Sequence, residues 1–198
     1  EGKIVVADGG VNYRVFFRRN QAKNKPADHT TLYYGLSTAI EPGMLLYYNS
    51  VAMLVLNSET VENADYRRAD AVRCNRTANL QVGAECENPN TGNLEFMWTT
   101  VTGGADVPIY FEVKQAPRNE TGVALEQSRY FAYIPAHFQL APDNYAVQMY
   151  AFTATDVNVP YALKRYGIDT VDDSYAYRDA NNVFHGFVVC ELNVMLSS

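Results

Sequence analysis

The chain has no long apolar run. Its nearest approach, Met44–Leu56, is broken by Asn49-Ser50, well short of the roughly 18 apolar residues that a membrane span needs, so no span is expected. It holds three cysteines, three histidines and one tryptophan in 198 residues. His29, His137 and His185 each lack a second His or Cys at a close ligand spacing, which disfavours zinc. His185, Cys190 and Met195 are ligand types of a blue-copper site, but on one strand Cys190 faces away from both His185 and Met195, so the three do not converge. There is no Gly-x-Ser-x-Gly elbow and no glycine-rich phosphate loop ahead of a helix. Basic residues come in short pieces, Arg18-Arg19 and Arg67-Arg68, within a chain of net charge −6 and pI near 5, so nucleic acid is not an expected partner. Lys3, Arg14, Arg18, Arg19, Lys23 and Lys25 read as a solvated strand face and a polar loop rather than a dedicated basic arm. No repeat of about 20–50 residues is visible. With no catalytic residue, metal or cofactor to nominate, the chain reads as a non-enzyme.

What is present is alternation. At the C-terminal end Val188, Cys190, Leu192, Val194 and Leu196 alternate with Val189, Glu191, Asn193 and Met195, the period of two of a half-buried strand. The same pattern runs through Val11–Phe17, Val107–Val113, Tyr145–Ala151 and Leu94–Val101, with shorter runs at Tyr130–Ile134, Met44–Tyr48 and Val51–Leu56. Turn residues punctuate these runs at Asp8-Gly9-Gly10, Glu41-Pro42-Gly43, Gly103-Gly104 and Pro142-Asp143-Asn144. Helical composition is confined to Thr60–Val72 and Val159–Tyr166, and neither carries a clean apolar stripe. Hydrophobic content of 47% with 19% charged residues fits one globular domain. The expected fold is all-β: a single sandwich, Greek-key, immunoglobulin-like or jelly-roll, with long connecting loops.

Side-chain chemistry adds partial signals. Cys74 and Cys86 flank an asparagine-rich stretch and fit a loop-closing disulfide in an oxidising compartment; unpaired thiols in a reducing one fit as well. Cys190 falls on the inward register of the last strand, where it acts as a small hydrophobe. The sequons at Asn75 and Asn119 are about as many as composition produces by chance. Four carboxylates between Asp169 and Asp179 supply oxygens for calcium, but the segment lacks the glycine and glutamate of an EF-hand and reads first as a solvated loop. Tyrosine is the compositional outlier, 15 residues, suited to subunit interfaces, to sugar stacking, or to half-exposed strand faces. A start at Glu1 without methionine fits removal of a leader or trimming equally.

Residues 133–150, with Ile134-Pro135-Ala136 leading through a turn to Asn144-Tyr145, resemble a stretch of bacterial chaperone–usher pilins and spore-coat-U-like subunits, where Gly-x-Tyr opens the corresponding strand. The resemblance covers under a tenth of the chain; about 48 residues follow Tyr150 here, and the cysteine spacing differs. It implies an incomplete immunoglobulin-like sandwich completed by the N-terminal strand of the next subunit, with a periplasmic chaperone as a transient partner. Donation needs an apolar run and a flexible break. Residues 1–10 are accordingly read as an exchange segment carrying Ile4, Val5 and Val6, ahead of a domain at 11–198, although a plain first strand and hairpin explain the same residues. The function expected is a self-assembling structural subunit outside the cell, in a surface filament or a virion. A jelly-roll viral coat subunit and a carbohydrate-binding adhesin module stand as alternatives.

Overall fold

The computed structural model describes residues 2–19, 28–62, 64–88, 90–114, 129–150 and 163–195. Six strands form the first half: β1 (Lys3–Ala7), β2 (Asn12–Arg19), β3 (His29–Gly35), β4 (Leu45–Tyr48), β5 (Val51–Thr60) and β6 (Tyr66–Arg73). They join in the order β1-β2-β3-β6-β5-β4 and close, because β1 pairs with β2 on one edge and β4 on the other. Eight strands form the second half: β7 (Arg76–Glu87), β8 (Leu94–Thr100), β9 (Val107–Lys114), β10 (Arg129–Pro135), β11 (Tyr145–Tyr150), β12 (Leu163–Asp172), β13 (Ala176–Arg178) and β14 (Phe184–Val194). Here the ring is β10-β9-β7-β11-β12-β14, closed by pairing of β10 with β14; β8 hangs on β7 and β13 on β14. All of these pairings are antiparallel.

The expected single sandwich is therefore overturned: the all-β chain builds two closed six-stranded barrels. The reason lies in what alternation encodes. A period of two says which side of a strand meets water, and barrel and sandwich share it; closure depends on which edges pair. Bulges at Val55/Asn57 in β5 and Ile168/Thr170 in β12 supply the local coiling that closure needs. The incomplete immunoglobulin-like sandwich implied by the pilin resemblance is not what the chain forms. Its Ile134-Pro135-Ala136 step instead ends β10 and enters a 3-10 turn, Ala136–Phe138, ahead of β11.

Each barrel has its own core. Val5, Val15, Leu32, Tyr34, Leu46 and Val55 fill the first, where the buried Tyr34 hydroxyl donates to Ile40 O at 3.2 Å and lies 2.6 Å from Ser58 Oγ. Leu80, Ile109, Ile134, Met149, Cys190 and Leu192 fill the second. Of residues 60–72, helical in composition, Thr60 ends β5 and the stretch from Tyr66 supplies β6: Ala69 and Ala71 point into the first core, and Arg68 and Asp70 point outward. The described end of the other helical candidate, residues 163–166, opens β12. Asn119 and Leu196 lie outside the described residues.

Candidate interaction surfaces

The barrels meet through a third apolar cluster, Leu45, Leu54 and Val72 from one and Tyr110 and Phe187 from the other. The link between β6 and β7 is only Cys74 and Asn75. The Asn75 side chain is clasped by Phe111, donating from Nδ2 to its carbonyl and accepting its amide at Oδ1, both at 2.8 Å.

Beside this cluster the Glu41-Pro42-Gly43 turn of the first barrel sits on Gly186 of β14, whose amide donates to Pro42 O at 3.1 Å. The approach is possible only without side chains: Gly43 and Gly186 have φ of 85° and 86°, and a Cβ on Gly43 would stand 1.8 Å from Gly186 O. Next to it His185 bridges two carboxylates, with Nδ1 3.4 Å from Glu41 Oε2 and Nε2 3.3 Å from Asp179 Oδ2. Tyr177 stacks on the imidazole at 5.3 Å and donates its hydroxyl to Glu41. An Asp–His pair supplies two members of a catalytic triad, but here both ring nitrogens face carboxylates, and the contact of His185 with Glu41 ties the second barrel to the first. The adjoining cavity, about 170 Å³, is smaller than the roughly 300–1,000 Å³ usual for ligand pockets.

A larger cleft of about 710 Å³ opens between the barrels, lined by His29, Asp70, Lys114, Tyr133, Asp172 and Tyr175 among others. Tyr175 stacks on the buried Phe187 at 4.8 Å, and Phe187 on Tyr133 at 6.1 Å. Burial first and Glu112 second push the Tyr133 phenol up to about 12, so it remains a donor, to Glu112 Oε2 at 3.3 Å. Two carboxylates of the acidic segment serve its own turns. Asp172 accepts from the amide and hydroxyl of Ser174, and Asp179 from the amides of Asn181 and Val183. Those bonds hold both acids below the usual carboxylate range. Among the described residues no group of three or more His, Cys, Asp and Glu is placed to hold a metal.

The most unusual surface is the hairpin of β7 and β8. β7 is 12 residues long, but its pairing with β11 stops at Val82. From Gly83 to Glu87 it continues out of the ring with β8 as its partner. Beyond the buried Gly83 both faces of this arm are wet. Leu94, Phe96 and Met97 are 71%, 50% and 52% exposed, Trp98 is half-buried, and the other residues of β8 are exposed. The register places Leu94, Phe96 and Trp98 in one row with Glu85 and Glu87 opposite them. Phe96 and Trp98 pack edge to face at 5.1 Å across Gly83, where any Cβ would meet the Phe96 ring at 2.3 Å, and the Arg165 guanidinium covers Trp98. The tip is ordered by Asn88: its amide donates to Asn93 O, its carbonyl accepts Gly92 N, and its Nδ2 donates to Glu95. On the opposite barrel a groove of about 630 Å³ lies along Arg14, Phe16, Tyr33, Asp65 and Tyr66, with Phe16 53% exposed and Tyr66 set edge-on to Tyr33 at 5.5 Å.

The residues expected to act appear in different settings. Ile4, Val5 and Val6 form the middle of β1, with Val5 in the core and the other two outward; all three pair with β2 and Val6 also with β4, within their own barrel. The Asp8-Gly9-Gly10 break is the hairpin turn into β2. The disulfide does not form. Cys74 precedes β7 and Cys86 lies near its far end; the strand from Arg76 to Cys86 alone spans roughly 33 Å at a rise of about 3.3 Å per residue. A disulfide tolerates Cα atoms only about 7 Å apart. Burial pushes the Cys74 thiol up to about 12 and that of Cys190 likewise, whereas Cys86 is exposed on the arm. The chain matches no family model, no curated protein and no solved structure.

Proposed function

We propose that the chain is a non-enzymatic structural subunit that assembles with copies of itself, with the β7–β8 arm as its assembling element. The observation that carries this reading is the arm's exposure on both faces. A two-stranded hairpin is marginal on its own in water, and three neighbouring exposed apolar side chains on it gain stability only when another surface covers them. The free outer edge of β8, whose partner among the described residues is β7 alone, adds unsatisfied backbone groups that a neighbouring strand completes. Assembly through such an edge keeps the expected role while moving it away from Ile4, Val5 and Val6, which already have partners in their own barrel. The setting in this reading is outside the cell, in a surface filament or a particle shell, and the periplasmic chaperone belongs to the filament version of it.

Light scattering and negative-stain microscopy on the unmodified chain and on Leu94→Glu/Phe96→Glu test the proposal. Concentration-dependent particles that vanish in the variant support it; particles of the same size from both remove the arm from the account. A second reading, carbohydrate binding, has one observation in its favour: Tyr175 offers a half-exposed ring beside Asp70 and Asp172 in the cleft between the barrels. Saturable binding on a glycan array that is lost in Tyr175→Ala favours that reading over assembly.

A further inference from the structure

Resting on the reading of the chain as a self-assembling subunit, we propose that the arm of one copy docks in the Phe16–Tyr33–Tyr66 groove of the next, so that copies join head to tail. The two surfaces match in chemistry. Residues 83–100 contain Glu85, Glu87 and Glu95 and no Lys or Arg, so the arm is an acidic element with an apolar row. The outward register of β2 reads Arg14, Phe16, Arg18, and Tyr33 lies directly opposite Phe16 on β3. The groove is therefore an aromatic floor with the exposed Arg14 in its lining and the exposed Arg18 further along the same outward register of β2. Asp65 stands among its lining, and the nearby Arg68 is already paired with Glu59, so Arg14 and Arg18 are the cations offered to Glu85 and Glu87. Aromatic and arginine side chains are the groups that anchor interfaces, and opposite charges around them set orientation.

The fold limits how the contact is made. The first barrel is a closed ring, so the arm meets the groove with its row of side chains, Leu94 and Phe96. Arm and groove sit on different barrels, and among the described residues β8 pairs only with β7. A copy whose groove is filled still presents its own arm, which is the condition for a heterologous contact that closes into a ring or continues as a filament.

Charge reversal tests this, because all four charged groups are exposed and folding can be checked by thermal unfolding. Arg14→Glu/Arg18→Glu and Glu85→Arg/Glu87→Arg are each expected to raise the concentration needed for assembly about tenfold or more. The chain carrying all four reversals, and the mixture of the two double variants, are expected to assemble again. Raising salt from about 0.01 M to about 1 M weakens assembly of the unmodified chain. If groove reversal leaves assembly intact while arm substitutions abolish it, the groove is not the receptor, and the self-assembly reading survives. If the unmodified chain scatters as 22.2 kDa at every concentration, both fall.

Discussion

The two barrels solve the same problem with different leftovers. In the first, β1 closes the ring by pairing on both edges, and no described strand is left over. In the second, β7 serves the ring with its first seven residues and spends the rest on the arm. Closure removes edges, which protects a β protein from unwanted pairing. Length beyond closure restores an edge, on a large scale at the β7–β8 arm and on a small one where β13 pairs with β14. The comparison separates what keeps the chain folded from what lets it meet another chain, and substitutions can probe each part alone.

The largest expected effect lies where the barrels touch. Gly43→Ala puts a Cβ 1.8 Å from Gly186 O across the seam at a positive φ, and urea unfolding should show a loss of about 5 kcal/mol. The opposite case is informative too: a variant that loses nothing there says that the barrels are stable without their seam. Next, Leu32→Ala in one core and Leu80→Ala in the other should each lose about 2–5 kcal/mol, because both side chains are fully buried. If the seam couples the barrels, fluorescence and circular dichroism give one coincident transition for either variant; two separate transitions break the comparison into independent domains.

Smaller effects fall on the thiols. Near pH 8, Ellman's reagent should titrate one thiol per native chain, Cys86, and three after denaturation. The raised thiols also give a pH dependence. Folded Cys74 and Cys190 keep their protons up to about 12, whereas unfolded thiols release them near pH 8.5. Between those values the native state binds more protons, so stability is fully present below about pH 8.5 and declines as pH rises above it. Urea midpoints measured across that range check the sign. Smallest of all is the change in stability of Leu94→Glu/Phe96→Glu, within about 0.5 kcal/mol, since neither side chain supports a core.

Much of the strand content was legible in the sequence, because alternation such as Val11–Phe17 or Val107–Val113 reports a wet and a dry face directly. Turns were legible where glycine or Asp/Asn stood between runs, as at Asp8-Gly9-Gly10. Closure was not, since the pairing of β1 with β4 and β10 with β14 joins segments about 40 to 60 residues apart through contacts that no local pattern encodes. The Cys74–Cys86 bridge failed for a related reason. The residues between them form one extended strand rather than a loop, as Leu80 and Ala78 in the core attest. The arm did leave a trace: Met97 breaks the apolar row of Leu94, Phe96 and Trp98 by adding an apolar group to the other face, and Asn88 to Asn93 supplies the turn of a hairpin. An alternating run that is apolar on both faces and rich in glutamate signals a strand awaiting a partner rather than one facing water.

Hydrogen exchange over residues 83–100, compared between dilute and concentrated unmodified chain, tests the central claim most directly. The account predicts arm amides that exchange freely in the dilute monomer and become protected as particle mass rises, with barrel amides protected throughout. Arm amides equally unprotected at both concentrations, while mass increases, would contradict it.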